Sequence, residues 1–326
     1  MIFSLGAAAA LALLALVSTS AGAAPMPIEV TATPLPKFDL TGQTRFGALD
    51  YRGGMVLASP SKAFGGISGM VLSADGVGIL AITDKGMWLA GRIDSEGDRP
   101  VGLADMTMTP MLGDDGRTLS KIGRGDVESL VRTADGYIVG IERIQEIWSF
   151  AGIDPRLSRG KKLVSGGELS KLENNSGLEA LMAGPFGIIA VAEHAPDDPK
   201  ILPGFLFTPL AKPAPIGRFV IDRIDGFDAT DMALADDGMV YLLERRFDLM
   251  RGQAMRIRRF PLAEIKPGAV IKGEVLIEAN RLASIDNMEA MAIHRNPAGE
   301  LILTLLSDDN FSAWQRTIML RFAVVQ

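Results

Sequence analysis

The stretch Gly177–His194, GLEALMAGPFGIIAVAEH, reads as an apolar strand, a turn, a second apolar strand, and then an acidic residue followed by a basic one. Four further stretches repeat this pattern: GISGMVLSADGVGILAITDK (Gly66–Lys85), DVESLVRTADGYIVGIER (Asp126–Arg143), ATDMALADDGMVYLLER (Ala229–Arg245) and NMEAMAIHRNPAGELILTLLSDD (Asn287–Asp309). Their opening residues lie about 50 to 60 residues apart, which is typical of β-propeller blades. One repeat cannot bury both faces of its own sheet, so the repeats should stack around an axis. The sequence predicts an all-β fold, a single β-propeller of five or six four-stranded blades.

Composition excludes several classes of protein. The chain has 326 residues, of which 48% are hydrophobic, and its mean hydropathy is +0.22, values typical of a folded domain. The formal net charge of -6 argues against a nucleic-acid partner, because phosphate backbones need clustered positive charge. The absence of cysteine excludes disulfides, thiolate nucleophiles and cysteine-ligated zinc.

The first residues have the features of an export signal. The apolar run Ala7–Val17 is shorter than the roughly 20 residues that a bilayer span needs. Ala21-Gly22-Ala23 forms a small-x-small cleavage site, although no Lys or Arg precedes the apolar run. We expect residues 1–23 to be a cleaved signal peptide, the protein to be periplasmic or secreted, and no membrane span to remain.

The rest of the chain divides into two parts. Residues 24–45 are rich in proline and are predicted to form an extended tether. Residues 46–326 are predicted to form the propeller, beginning with short strands at Arg45–Tyr51 and Met55–Ala58. The C-terminal stretch Thr317–Val325 is expected to share a blade with them and so close the ring. Met255–Arg258 alternates apolar and basic residues, which favours a half-exposed outer strand over a phosphate-binding patch.

Hairpin geometry brings acidic residues together. Asp-Gly pairs mark several of the turns, and in a hairpin the residue that opens the first strand lies beside the one that closes the second. Each repeat should therefore place such a pair on one face of the disc, at the mouth of the axial channel. The predicted pairs are Ser68 with Asp84, Glu128 with Glu142, Glu179 with Glu193, Asp231 with Glu244, and Glu289 with Asp308.

Nine of these ten residues are carboxylates, which repel one another unless they are compensated. Calcium is one suitable counter-ion, because it accepts six to eight oxygen ligands. The following residue is basic in four repeats, namely Lys85, Arg143, His194 and Arg245. An alternative interpretation is structural: each acid could pair with a base of the neighbouring blade or accept backbone N–H bonds.

Several phrases of the sequence resemble the phytase-like family, described as esterase-like activity of phytase. These phrases are FGGISGM (Phe64–Met70), TDKG (Thr83–Gly86), GLEAL (Gly177–Leu181), the Glu-Arg-Arg at 244–246 and NMEAMA (Asn287–Ala292). The similarity runs from about Phe46 to the C-terminus. It implies an exported β-propeller and phosphoester hydrolysis with calcium. The chain departs from β-propeller phytases proper because it has no dense Asp/Lys phosphate-clamp stretch, which argues against phytate as the substrate.

These observations lead to a predicted hydrolase for a small-molecule ester or phosphoester. The predicted Ca²⁺ ligands are Asp84, Glu128, Glu142, Glu193, Asp231, Glu244, Glu289 and Asp308. The predicted catalytic residues are Glu179, Arg143, His194 and Arg245, where the metal would activate water and the bases would neutralise an oxyanion or transfer protons. Two alternatives stay open: a non-catalytic envelope propeller that binds a ligand or a protein at the same mouth, and a Ca²⁺-dependent lactonase.

Overall fold

The computed structural model describes residues 23–167, 169–172, 177–184, 187–209 and 213–325. The predicted signal peptide, except for its last residue, lies outside the described residues. Within the described ranges the chain forms a β-propeller of five blades, so the five-bladed alternative is confirmed.

The strands follow one another with short connections. In the first half of the chain they are β1 (Met26–Pro27), β2 (Thr31–Leu35), β3 (Arg45–Phe46), β4 (Leu49–Ala58), β5 (Ile67–Leu72), β6 (Gly78–Thr83), β7 (Met87–Glu96), β8 (Arg99–Pro110), β9 (Val127–Thr133), β10 (Gly136–Ile141), β11 (Glu146–Ala151) and β12 (Lys161–Ser165). In the second half they are β13 (Leu178–Gly184), β14 (Gly187–Ala192), β15 (Ile201–Phe207), β16 (Pro215–Asp222), β17 (Asp228–Leu234), β18 (Met239–Asp248), β19 (Gly252–Pro261), β20 (Val270–Ile271), β21 (Glu274–Asn280), β22 (Asn287–Arg295), β23 (Leu301–Asp308) and β24 (Thr317–Val324). Short 3-10 helices span Leu119–Ile122, Pro155–Leu157, Leu169–Lys171 and Leu262–Glu264.

Each blade is an antiparallel meander that begins at the centre of the ring. Blade 1 contains β5 to β8, blade 2 contains β9 to β12, and blade 3 contains β13 to β16 with β20 at its edge. Blade 4 contains β17, β18, β19 and β21, and blade 5 contains β22, β23, β24 and β4. The first strands β5, β9, β13, β17 and β22 contact one another in a closed circle, so they surround the axis. This arrangement confirms that the repeated phrase forms the innermost hairpins.

The two ends of the chain close the ring, as the sequence predicts. β24 lies between β23 and β4, with Met319 opposite Met55, so the last blade combines strands from both ends of the chain. β4 runs without interruption through Gly53-Gly54. No sixth blade forms from the described residues, because the N-terminal strands complete blade 5 instead.

The segment at residues 24–45 differs from the predicted tether. β1 pairs with β8 of blade 1, and β2 pairs with β4 along Thr31–Leu35. Pro34 can occupy β2 because this strand is at the sheet edge, where a missing N–H donor is tolerated. The segment therefore covers the exposed edges of two blades rather than leading freely into the fold.

The hydrophobic core consists of five layers, one between each pair of neighbouring blades. β10 shows how the sequence produces this arrangement. Ile138 packs towards blade 3, whereas Val139 and Ile141 pack towards blade 1, because successive strand residues face opposite sides. Both faces of an inner strand are buried, so β10 is apolar without interruption. Burial of each such side chain contributes about 1.5–3 kcal/mol.

The basic residues of β19 are not on a solvated face. Arg256 and Arg258 are only 2% and 0% exposed, which contradicts the half-exposed outer strand predicted for Met255–Arg258. Arg258 is paired with Glu244, and the Arg256 guanidinium lies 2.8 Å from a Glu278 oxygen and over the ring of Phe227. The period-two pattern is real, but partners on neighbouring strands allow the charged face to be buried.

Among the described residues, the structure has no helix whose length and hydropathy would suit it to crossing a membrane.

Candidate functional site: the acidic mouth

A β-bulge at the same point of every blade forms the first row of mouth residues. The pairing of the first and second strands shifts by one residue near the start of each first strand. A bulge of this kind leaves one residue unpaired and re-aims its side chain. The five residues, which we call the first-strand row, are Ser68, Glu128, Glu179, Thr230 and Glu289.

The end of each second strand supplies the other row. In each blade, the last first-strand residue before the bulge pairs with a residue of the second strand, and the member of this row is the next residue along the second strand. In blade 2, for example, Val127 precedes the bulge and pairs with Ile141, and Glu142 follows Ile141. This second-strand row consists of Asp84, Glu142, Glu193, Arg245 and Asp308. Together the two rows form the acidic mouth, which contains seven of the nine predicted carboxylates.

Blade 4 departs from the predicted pairing, because Asp231 and Glu244 do not belong to the mouth. The bulged residue of this blade is Thr230, and Ala229 pairs with Glu244, so the residue at the mouth is Arg245. Thr230 donates a hydrogen bond to the Met288 carbonyl of blade 5, as Ser68 does to Val127 of blade 2. Blade 4 therefore contributes a hydroxyl and a cation where the other blades contribute mostly acids.

Asp231 and Glu244 have structural partners instead. The Asp231 carboxylate accepts the N–H groups of Met232 at 2.8 Å and Met291 at 2.7 Å, which links blades 4 and 5. Glu244 forms a bidentate pair with Arg258, at 2.7 and 2.5 Å, and both side chains are fully buried. Asp231 thus accepts backbone N–H bonds, as the structural alternative predicts, whereas Glu244 pairs with an arginine of its own blade rather than of a neighbouring one.

The carboxylates of the mouth converge closely enough to affect one another's ionisation. Burial, followed by repulsion from Glu289 and Asp126, raises the pKa of Glu128 well above its usual range. Burial and then Glu128 and Glu289 raise the pKa of Glu179 in the same way. Glu289 is 6% exposed, and its pKa is raised to about 8, chiefly by burial. The three acids of the first-strand row therefore form one electrostatic cluster across the axis.

The second-strand row behaves similarly. Burial raises the pKa of Glu142 and of Asp308 to about 7 and that of Asp84 to about 6, with further contributions from neighbouring acids. Burial also raises the pKa of Glu193, although Arg245 acts in the opposite direction. Charged forms are thus disfavoured here, which is the condition that a bound cation would relieve.

Arg245 is the cation placed among these acids. Its guanidinium lies 3.1 Å from a Glu193 oxygen and 3.2 Å from a Glu289 oxygen, and it donates a hydrogen bond to the Asn287 side chain. Burial lowers the pKa of Arg245, but the surrounding carboxylates together outweigh burial and raise this pKa above its ordinary value, so the guanidinium stays charged. With 27% of its side chain exposed, Arg245 is fixed in position and still accessible from solvent.

The other predicted catalytic residues lie at or beside the mouth. Glu179 is 6% exposed and makes no hydrogen bond or ion pair with any described residue. The His194 Nδ1 lies 3.7 Å from Glu193 and 3.4 Å from Asp228. Arg143 is 70% exposed and its guanidinium lies 2.9 Å from Asp126, so it stands at the edge of the mouth.

Several mouth residues were not predicted from the sequence. Asp126 and Asp228 precede the bulged residues of blades 2 and 4 by two positions, where blades 1 and 3 have Gly66 and Gly177. A Cβ at Gly66 would collide with the Asp84 carboxylate and one at Gly177 with Glu142, so these glycines make room for acids. In blades 1 to 4 the same position of the repeat thus carries either an acid or the space for one, and in blade 5 it carries Asn287; aligning the repeats on their bulges shows this pattern.

Three groups of described residues could hold a metal ion, each with ligand atoms within 4.8 Å of one another: Asp126, Glu128 and Glu142; Glu142, Glu179 and Glu193; and Glu193, His194 and Asp228. In addition, the buried atoms Glu289 Oε2 and Asp84 Oδ1 have no hydrogen-bond partner among the described residues. An unpaired buried carboxylate oxygen is costly, so the mouth has unused capacity to bind a cation or a donor group.

The fold and this site define a class: a five-bladed β-propeller with an acidic axial mouth. The chain belongs to the phytase-like family, because the family model described as "esterase-like activity of phytase" matches residues 62–311. This match confirms the resemblance seen in the sequence.

Solved structures also resemble the chain. An endo-arabinase from Bacteroides thetaiotaomicron VPI-5482 is 9% identical, with a TM-score of 0.48, over 80% of this chain and 95% of that one. The β-propeller domain of Cps50 (Swd1) from Myceliophteria thermophila is 12% identical, with a TM-score of 0.36, over 92% of this chain and 100% of that domain. No curated protein matches the sequence.

Proposed function

We propose that the protein is a calcium-dependent hydrolase of phosphoric or carboxylic esters that acts at the acidic mouth. The family description supports hydrolysis of an ester. The observation that supports this site is the convergence of seven carboxylates at one mouth, with Arg245 in contact with two of them and the buried Glu289 Oε2 left without a partner among the described residues. Such a cluster of buried carboxylates destabilises the fold unless a bound ligand compensates its charge.

The residues present fit a hard divalent cation. Calcium prefers six to eight oxygen ligands, and the ion would be held by Asp126, Glu128 and Glu142 or by Glu142, Glu179 and Glu193. A bound calcium ion would polarise the ester oxygen and lower the pKa of water. Asp231 and Glu244 are not part of this proposal, since both are already paired within the sheets.

The chain's own groups would position the substrate and move protons. The Arg245 guanidinium, held by Glu193 and Glu289, is placed to donate hydrogen bonds to an ester or phosphoryl oxygen. Asp308, with a pKa of about 7, is suited to exchanging protons near neutral pH. His194 and Arg143, at the edge of the mouth, would serve proton transfer and charge neutralisation at the leaving group.

The charge of the mouth indicates a substrate with few negative charges. One arginine stands among seven carboxylates, and Arg143 is already paired with Asp126. A polyphosphorylated ligand would meet net repulsion, so a monoester or a carboxylic ester fits better than phytate.

A substrate panel with and without metal tests the proposal. The purified protein should hydrolyse p-nitrophenyl phosphate, p-nitrophenyl butyrate or a simple lactone with calcium, and EDTA should abolish that activity. Glu179→Gln should lower kcat/KM at least tenfold, whereas the exposed control Asp237→Asn should leave it unchanged. Absence of turnover on all three substrates at 1 mM calcium would refute catalysis and favour a binding role for the mouth.

We also propose that the protein is exported, on the basis of the N-terminal sequence. N-terminal sequencing of the protein from its native cell should begin near Ala24. An intact residue 2–20 segment on a cytoplasmic protein would contradict this.

A further inference from the structure

The β18–β19 hairpin of blade 4 rises above the acidic mouth. β6 of blade 1 ends at Thr83, the position equivalent to Glu244, but β18 continues through Arg245 to Asp248. Asp248 still pairs with Gly252 of β19, so the extension is regular hairpin. At about 3.3 Å per residue, its tip stands on the order of 10 Å beyond the mouth residues.

Large apolar side chains stand exposed at the tip of this hairpin and on the neighbouring loops. The exposed fractions are 92% for Leu249, 89% for Met250 and 67% for Phe247. Leu282, on the loop that enters blade 5, is 68% exposed, and Trp314, on the loop between β23 and β24 of the same blade, is 93% exposed. We call these five residues the apolar rim. Side chains of this size and exposure, gathered on one face, mark an interaction site.

Contacts between the loops make the rim continuous. Gly252 at the hairpin tip lies against the Arg281 side chain, which precedes Leu282. The Asp286 carboxylate then joins the loops, since it accepts hydrogen bonds from the Gln253 side chain and the Arg316 backbone N–H. Trp314 belongs to the same loop as Arg316. The rim therefore borders the mouth along blades 4 and 5.

Cations are interspersed with the rim. Lys37, Arg246, Arg251, Arg281 and Arg316 lie on the hairpin and the adjoining loops. Arg251 is paired with Asp248, and Arg316 lies 3.7 Å from Asp286. Lys37 and Arg281 have exposed side chains, and neither makes a hydrogen bond or an ion pair with another described residue through its side chain. The rim thus presents basic groups although the whole chain carries a net charge of -6.

We propose that the apolar rim docks this face of the propeller onto a lipid bilayer that carries anionic headgroups. The apolar side chains stand on the tips of separate loops, a convex arrangement that suits insertion into a fluid apolar phase. Tryptophan favours the boundary between headgroups and acyl chains, and neighbouring arginines and lysines favour anionic headgroups. Docking in this orientation would hold the acidic mouth on the order of 10 Å from the headgroups, which is about one Debye length, so its carboxylates repel them only weakly. The proposal does not depend on ester hydrolysis.

Trp314 supplies a direct measurement. The chain has three tryptophans, and Trp88 and Trp148 are 1% and 4% exposed, so a change in the accessibility of tryptophan reports Trp314. With vesicles of 70% phosphatidylcholine and 30% phosphatidylglycerol, emission should shift to the blue and acrylamide quenching should fall at least twofold. The protein should also float with these vesicles, and less with pure phosphatidylcholine. Trp314→Phe should abolish the fluorescence response.

Matched variants distinguish vesicle binding through the apolar rim from nonspecific adsorption. Phe247→Ser/Leu249→Ser/Met250→Ser should lose flotation at least fivefold while keeping the wild-type Tm, because these side chains are exposed. Ile153→Ser/Leu157→Ser removes side chains that are 88% and 61% exposed on the opposite face, and it should float like the wild type. An equal loss of flotation in both variants would overturn the proposal. So would a wild-type protein that neither floats nor changes its fluorescence with vesicles of either lipid composition. Concentration-dependent dimerisation without vesicle binding would likewise overturn it and assign the rim to a second copy of the chain.

Discussion

The Arg245 guanidinium lies 3.1 Å from a carboxylate oxygen of Glu193, although the two residues occupy equivalent positions in neighbouring blades. A cation in one blade thus faces the acid that the preceding blade places at the same position. The same guanidinium reaches Glu289 at 3.2 Å. The charge of the mouth is therefore asymmetric: Glu193 of blade 3 and Glu289 of blade 5 share a guanidinium in direct contact, whereas Asp84, Glu128 and Glu142 form no ion pair with a described residue.

Replacing Arg245 should make the mouth dependent on metal. In Arg245→Gln the pKa values of Glu193 and Glu289 should rise further, because their nearest positive charge is gone. We expect a loss of about 1–2 kcal/mol of unfolding free energy at pH 7 without metal, since the side chain is partly exposed. Calcium should restore more stability to the variant than to the wild type in urea melts. Arg295→Gln, which removes a surface pair with Asp236, is the control, and calcium should stabilise it no more than it stabilises the wild type.

The raised pKa values predict how stability depends on pH. A folded pKa of about 8 for Glu289, above its ordinary 4.5, means that the folded state keeps a proton which the unfolded state releases. Stability should therefore fall as pH rises from about 5 to 8, by up to about 1.4 kcal/mol per pH unit for this group. In EDTA, Glu289→Gln should become more stable relative to the wild type across this range, as measured by urea denaturation. A difference in unfolding free energy between Glu289→Gln and the wild type that stays constant between pH 5 and 8 would contradict the prediction. Adding calcium should make the unfolding free energy of the wild type depend less on pH.

Much of the architecture could be predicted because it depends on local and repeated patterns. The apolar hairpins recur five times, and each inner strand buries both faces, so the repeats alone indicate the blades. The closing strand β24 is likewise visible as an apolar segment at the C-terminus. The strands within residues 24–45 were missed because Pro-rich edge strands lack the usual alternation, and their partners, β4 and β8, lie elsewhere in the chain.

The mouth was predicted less completely, for a specific reason. The repeats were aligned by their carboxylates, which placed Asp231 beside Glu179, whereas the bulge of blade 4 is at Thr230. A better guide is the buried Met or Leu two residues after each bulge, namely Met70, Leu130, Leu181, Met232 and Met291. Alignment on these positions selects Thr230 and Arg245. No pattern within blade 4 could show that Glu244 is paired with Arg258, because that contact depends on how β18 and β19 are packed.

The Glu244–Arg258 pair should matter for stability and not for cation binding. Glu244→Gln would leave Arg258 buried without its charge partner, at a cost of about 3–5 kcal/mol. A shape-conserving double change, Glu244→Leu/Arg258→Met, should lose less, because neither charge remains buried. Urea denaturation measures the first effect, and calcium titration by calorimetry should give an unchanged Kd for the folded single variant. A tenfold weaker Kd for calcium in Glu244→Gln would show that Glu244 takes part in calcium binding.

The hydroxyl bonds between blades should contribute to stability alone. Thr230 donates to Met288 at 3.0 Å and Ser129 to Leu178 at 3.0 Å, each at a carbonyl beside the next blade's bulge. Thr230→Val should cost about 1–2 kcal/mol, because the Met288 carbonyl loses a buried donor. Ser129→Ala should cost about 1 kcal/mol for the same reason. Thermal melts check both values, and a change in calcium affinity with either variant would show that the hydroxyls act on the mouth as well.

The effect of His294 on folding stability should change with pH in the opposite direction to that of the mouth carboxylates. It is 9% exposed, and burial together with Arg321 lowers its pKa from 6.5 to about 4. The folded state therefore holds the neutral imidazole while the unfolded state takes up a proton, so stability should be lost as pH falls from about 6.5 to 4, by up to about 1.4 kcal/mol per pH unit. His294→Gln should remove this loss, so its urea midpoint should fall less than that of the wild type between pH 6.5 and 4.5. Because the chain has two histidines, His194→Gln serves to assign the two imidazole signals in an NMR titration. A His294 signal that titrates near 6.5 would contradict the prediction.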